Sequence, residues 1–431
     1  MEFQKIKLHR SEKNGAAVTQ ITLDDDYNVP DYRQDIVKVI KERGELRFDE
    51  VKAMEGAAWI KGSLVFKVLY RSDKQEGKIS CLRGEIPFQE RLNMDGLSEY
   101  DAVHATGDME DLTIGVINSR KLNVRAVIVL TASSEKEVDE ELTCELSDGS
   151  SYEQNIVEKE ALKLLVVRRD ICRQKSEAVL PSSKPNIREI LWQSMQLRNV
   201  ESRLVEGKIR LSGEILVSIL YNDEEEGEHL SWYETTVPLD AQAECGVMED
   251  DCIWQVQMVP LTMELEVKPD YDGEERILVM ELALDTHIRI WKEEKIRLLT
   301  DLYSLQKEVK PVFRECPLEH LLVKNAAKCR MTEQMELKED KEKVLQICSC
   351  EGKVLLERQE IKPDGVLAEG TVEVNILYIT PDDHMPVGAV QEIYPFSQLV
   401  EIPEMSAQAK VELDASLEQL SAVMLDQEHV E

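Results

Sequence analysis

Gly62-Ser-Leu-Val-Phe-Lys-Val-Leu-Tyr70 is read twice more along the chain, as Gly213-Glu-Ile-Leu-Val-Ser-Ile-Leu-Tyr221 and Gly370-Thr-Val-Glu-Val-Asn-Ile-Leu-Tyr378. In each copy a glycine stands eight residues before the tyrosine of a Leu-Tyr pair. Between these landmarks apolar residues (Leu64, Phe66 and Val68; Ile215, Val217 and Ile219; Val372, Val374 and Ile376) alternate with more polar ones such as Ser63 and Lys67 or Glu373 and Asn375. A period of two with β-branched enrichment predicts a half-buried strand. Seventeen residues beyond each tyrosine stands a proline, Pro87, Pro238 and Pro395, so the copies are related by offsets of 151 and 157 residues without a gap. At average composition a three-way identity arises by chance in fewer than about one column in a hundred.

The register continues outward from this strand. Upstream, Ile36, Val39 and Ile40 align with Ile187, Ile190 and Leu191 and with Val344, Ile347 and Cys348, all of them apolar. ALKLLVVRRDICR, from Ala161, aligns on LEHLLVKNAAKCR, from Leu318, and this pairs Cys172 with Cys329. Downstream, RSDKQEGK, NDEEEGEH and ITPDDHMP are charged, turn-prone hairpin tips, each followed by a second apolar run. The proline in that return strand has no N–H and belongs at a sheet edge, a bulge or a strand end. Further strands are expected at Lys121 to Leu130, Arg276 to Leu284 and Ile288 to Trp291, and helices at Lys295 to Lys310 and Asp414 to Met424.

The fold class is therefore all-β with minor helix, built as three tandem homologous β-sandwich or open-barrel domains. They span residues 1–140, 150–295 and 308–431, and the polar stretches at 132–155 and 293–312 read as connections. The third is expected to lack its last strand, or to close differently, because Glu431 falls where that strand should begin.

Charge and cysteine usage bound the function. With 52 basic and 85 acidic residues the formal charge is -33, which repels phosphate and disfavours nucleic acid as a partner. No stretch approaches the roughly 20 apolar residues that span a bilayer, so a cytoplasmic chain without membrane insertion is expected. Nine cysteines, an odd number scattered over a long chain, read as reduced thiols. No nucleophile elbow, phosphate loop, dinucleotide fingerprint or zinc-protease helix occurs. Cys348-Ser-Cys350 has half of a metal-site spacing, yet Cys348 occupies the column of Ile40 and Leu191 and reads as core; Cys172 and Cys329 read as one small buried position in two copies. The histidines share no repeat position, and the acidic runs Asp24 to Asp26 and Glu224 to Glu226 read as solvated loop charge. No catalytic, cofactor or metal residue is expected. The positions that repeat, Gly62, Tyr70, Pro87, Gly213, Tyr221, Pro238, Gly370, Tyr378 and Pro395, read as fold determinants: tyrosines that pack their rings and tie their hydroxyls to backbone, and glycines that permit a bulge or a close approach.

Val29-Pro-Asp-Tyr-Arg-Gln-Asp-Ile36 resembles the VPDxKPDI signature that opens a SPOCS domain, and Leu180-Pro-Ser-Ser-Lys-Pro-Asn-Ile187 is a looser copy of it. Arg120-Lys-Leu-Asn-Val-Arg-Ala-Val127 is similar to the RKLNVRAV strand late in the same domain. The resemblance covers nearly the whole chain. It implies a non-enzymatic spore morphogenesis protein of the mother-cell cytoplasm, acting at the forespore surface and partnering the spore coat morphogenetic ATPase, stage IV sporulation protein A. Self-association through exposed strand edges is a second expected mode. Two features depart from the family pattern: Leu337 and Lys338 replace Val-Pro in the third copy, which predicts a different entry of its first strand, and no LysM pattern is seen before Glu431. The alternative function is a carbohydrate- or peptidoglycan-binding envelope module, though Trp59, Trp192, Trp232, Trp254 and Trp291 share no repeat position.

Overall fold

Period-two alternation dictates strands, and among the described residues strands are the regular element the chain forms. The computed structural model describes residues 2–72, 77–147, 152–224, 229–247, 249, 251–337, 342–403 and 405–431. Copy one comprises β1 (Phe3–Asn28), β2 (Lys38–Met54), β3 (Ala57–Arg71), β4 (Ile79–Asn93), β5 (Val103–Asn118) and β6 (Lys121–Leu146). They form two antiparallel sheets of order β2-β3-β4 and β1-β6-β5. One core, including Leu64, Phe66 and Val68 from the first sheet and Val124, Ala126 and Ile128 from the second, lies between them, so the copy is a sandwich and not an open barrel.

Copy two repeats this with β7 (Glu153–Val179), β8 (Ile187–Val205), β9 (Lys208–Asp223), β10 (Leu230–Glu244), β11 (Cys252–Pro269) and β12 (Glu275–Tyr303). Its sheets are β8-β9-β10 and β7-β12-β11, again around one core. Copy three has β13 (Met335–Glu336), β14 (Gln346–Lys362), β15 (Gly365–Ile379), β16 (Val387–Glu401) and β17 (His429–Val430). Its meander β14-β15-β16 is complete, and its second sheet is the pair β13-β17. That pair is the first rung of the ladder seen in the other copies: Tyr27 opposes Leu122, Ala178 opposes Leu278, and Met335 opposes Val430, the first members spaced by 151 and 157 residues and the second by 156 and 152.

Several sequence expectations change. Lys295 to Tyr303 is not helical but the end of β12, because β7 supplies a ladder in which Ile296 opposes Lys159 and Leu298 opposes Val157. Asp414 to Met424 is not helical either; it runs extended over β14, with Leu417 and Leu420 above Gly352, as Met109 and Leu112 of β5 lie above Gly44. The polar stretch at 132–155 carries β6 on to Leu146 and starts β7 at Glu153; residues 148–151 lie outside the described ones. Cys329 is exposed whereas Cys172 is buried, because Cys172 is held in β7 opposite Leu284 and residues 304–334 form no strand. Leu337 enters as its counterparts do: Val29, Leu180 and Leu337 are all buried, and their N–H groups donate to the carbonyls of Arg120, Arg276 and Glu428. Lys338 lies outside the described residues, as do half of the hairpin tips of copies one and two (residues 73–76 and 225–228) and part of the acidic run at Glu224.

The three meanders close on one another. β4 packs on β8, β10 on β14, and β16 on β2, so the same pair of faces meets at each junction and the copies form a ring. A shared core fills its centre from equivalent columns, Leu69, Leu220 and Leu377 in one and Leu191 and Cys348, with Ile40, in another.

Candidate functional site

The repeated residues come first, since their chemistry recurs in each copy. Tyr70, Tyr221 and Tyr378 are fully buried, and each phenol donates to a carbonyl 36 residues earlier: Gln34 at 3.2 Å, Pro185 at 3.2 Å and Glu342 at 3.0 Å. The bond pins the strand's end to the loop that opens its own copy. Burial pushes the Tyr221 hydroxyl up to about 12 and raises the other two, so all three stay protonated donors.

Gly62 and Gly370 face register shifts in β2 and β14, and Gly213 faces the equivalent shift in β8. A Cβ on Gly62 would stand 2.4 Å from the Arg47 carbonyl oxygen, and one on Gly370 would stand 2.1 Å from that of Leu355. At Gly213 the nearest approach is 2.9 Å, because the shift there is wider, between Arg198 and Glu201. Pro87, Pro238 and Pro395 lie within the edge strands β4, β10 and β16, opposite Ser63, Glu214 and Thr371, with exposed side chains. Each removes one N–H from a sheet rim.

Sequence reasoning missed the group that holds the opening loop. Arg120 starts β6's hairpin and donates to the carbonyls of Val29 (3.2 Å), Pro30 (2.8 Å) and Arg33 (2.7 Å) and pairs with Asp35 at 3.2 Å. Arg276 does the same in copy two, to Leu180 (3.3 Å), Pro181 (2.7 Å) and Lys184 (3.1 Å), with Asn186 in place of the aspartate. A planar guanidinium with five donors can fan out over several carbonyls, as an ammonium cannot. In copy three the pair is reversed: Glu428 occupies the arginine position and bonds Lys343, in the aspartate position, at 3.0 Å. The recurring element is thus a polar clamp between a residue at or just before the start of the last strand and the opening loop, charged on both sides in copies one and three and an arginine–asparagine pair in copy two, and the arginine in RKLNVRAV was the available signal.

The second missed group lies in the ring's centre. Lys41, Trp192 and Ser349 form one equivalent column, and Arg43, Ser194 and Glu351 form another. Lys41 Nζ lies 3.4 Å from Glu351 Oε1 with only 6% of its side chain exposed, Arg43 Nη1 lies 3.3 Å from Oε2, and Trp192 Nε1 donates to Oε1 at 3.4 Å. Burial alone would raise the Glu351 pKa, but the Lys41 and Arg43 charges and the indole N–H outweigh it and hold the carboxyl below the usual range. Burial in turn lowers Lys41, which shares one carboxylate with Arg43. Nearby, burial pushes the Cys348 and Cys350 thiols up to about 12, which makes poor nucleophiles of both. The signal available in the sequence was a repeat column whose three residues differ in chemistry.

Cations cover four of the five tryptophans: Lys41, Lys184, Lys324 and Arg289 stack on the rings of Trp192, Trp232, Trp254 and Trp291. Among the described residues, no three His, Cys, Asp or Glu side chains come together as a metal site.

The family model described as SipL, SPOCS domain matches the chain three times, over residues 35–117, 186–268 and 343–425. The matches cover more than half of the sequence and are spaced by the same offsets, 151 and 157 residues, as the glycine, tyrosine and proline landmarks. No curated protein matches the chain.

Proposed function

The chain belongs to the SipL, SPOCS-domain family, and from that premise we propose that it is a non-enzymatic assembly protein of the spore envelope. It acts in the mother-cell cytoplasm at the forespore surface, where it presents a folded surface to the coat basement-layer ATPase, stage IV sporulation protein A. The observation that carries this reading is what the three copies hold in common. Their shared tyrosines, glycines, prolines and loop clamps all serve backbone and packing, so the repeated chemistry builds a shape and, among the described residues, converges on no reacting centre. No described helix is long and apolar enough to cross a membrane. The surplus of acidic residues, 85 against 52 basic, fits a basic protein surface better than nucleic acid.

The test is capture of the ATPase from sporulating cells by residues 1–431, with an equal amount of a sequence-unrelated acidic β protein as control. Retention of the ATPase by this chain above the control supports the reading. Equal retention removes these residues from partner binding and leaves them the role of a spacer.

A further inference from the structure

Copy one leads into copy two after Leu146, and copy two leads into copy three through residues 304–334, so the contact between copies three and one is the ring junction across which the chain does not pass from one copy to the next. A buried pair of opposite charges, Lys41 and Glu351, lies at that junction. Lys41 and Arg43 come from β2 of copy one, Glu351 comes from β14 of copy three, and Trp192 comes from β8 of copy two. Two more ion pairs flank them across the same junction, Lys38 with Glu342 at 3.1 Å and Lys353 with Asp108 at 3.4 Å, and Arg71 donates to the His384 carbonyl at 3.2 Å.

We propose that Glu351 is the clasp of the ring: by binding both other copies at once it closes the junction the chain leaves open, and closure keeps strands β2 and β16 from pairing with a second copy of this chain. The physical basis is an asymmetry of costs. A buried ion pair adds little net stability compared with apolar residues of the same size, but removing one partner leaves an uncompensated charge in the interior. With Glu351 gone, Lys41 has no carboxylate and its ammonium can regain water only by parting β2 from β14. The column that holds Arg43, Ser194 and Glu351 also fixes the order of the copies, because a third copy carrying a cation there would set like charges together. Parting the junction exposes the apolar columns of Leu69, Ile79, Leu377 and Val387 together with two strand edges, a combination that recruits further strands.

The claim concerns the fold and stands independently of the partner. Its test uses the whole chain with Glu351→Leu and with the double substitution Lys41→Met, Glu351→Leu. Amide hydrogen exchange in β2, β14 and β16 should quicken at least about a hundred-fold in the single variant. Exchange in the β1–β6 ladder between Phe3 and Lys13 should stay as in the parent, and light scattering should show species heavier than a monomer. The double variant, with no buried charge left unpaired and Arg43 free to turn to Glu45, should return to parental exchange and mass. Parental exchange in the single variant overturns the proposal, as does quickening of the ladder and the junction alike, or failure of the double variant to recover.

Discussion

Replacing Arg276 by methionine removes a fan of hydrogen bonds and keeps most of the side-chain volume, and the structure gives the size of the effect. The guanidinium holds three carbonyls, Leu180, Pro181 and Lys184, at 3.3, 2.7 and 3.1 Å, as well as Asn186. A hydrogen bond from a charged donor contributes about 1.5–3 kcal/mol net, but these carbonyls sit in a loop where water replaces part of the loss. The expected cost is therefore about 3 kcal/mol for the group and not three times the single-bond figure. Lys184, in the same loop, stacks 4.5 Å above the Trp232 ring, so loosening the loop changes that tryptophan's surroundings. Urea unfolding of the whole chain followed by tryptophan emission, compared with the same pair of proteins carrying Trp232→Phe, measures both the loss and its location. Arg276→Lys should recover less than half, since one ammonium cannot reach carbonyls lying in different directions. A loss under about 0.5 kcal/mol for Arg276→Met, the range of ordinary surface substitutions, or full recovery by lysine, refutes the clamp.

Three further outcomes follow from named contacts. Tyr378→Phe should cost about 1–2 kcal/mol in thermal or urea unfolding, because it breaks the 3.0 Å bond to Glu342 and leaves that carbonyl short of a donor; a neutral result contradicts the role given to the hydroxyl. Gly370→Ala should cost about 1–3 kcal/mol by forcing β14 away from β15, since the new Cβ would lie 2.1 Å from the Leu355 oxygen. Acid should act through Glu351, whose folded pKa lies below the ordinary value. Its contribution is present above the unfolded carboxylate pKa of about 4.3 and is lost as pH falls through the folded value. The stability gap between the parent and Glu351→Leu at pH 7 should accordingly narrow below about pH 4, and a gap that widens there is inconsistent with an ionised Glu351.

The repeated meander was legible because three independent cues agreed on it: alternation, a glycine facing a bulge, and a proline on the return strand. Its bounds follow the sequence offsets, with β3, β9 and β15 starting at Ala57, Lys208 and Gly365. The second sheet was read less well. Lys295 to Tyr303 mixes charged and apolar residues in a way that fits a helix face or a ladder equally, and only the presence of β7 alongside decides between them. Cys329 shows the same dependence from the other side, for it aligns with a buried cysteine yet has no paired strand to carry it inward. The clamp and the clasp escaped for a different reason. Both join residues about a hundred or more apart, Arg276 to the loop at Leu180 and Lys41 to Glu351, and one sequence carries no record of such pairings.

The central claim is that a single β unit, written three times, closes on itself. Zero-length carbodiimide cross-linking of the dilute monomer, followed by peptide mass analysis, tests this most directly. The ring predicts an intramolecular link between Lys38 and Glu342, 3.1 Å apart across the junction of copies one and three. Recovery of that link only from dimers, or of links confined within each copy, would mean that the three units are strung in line and the ring does not exist.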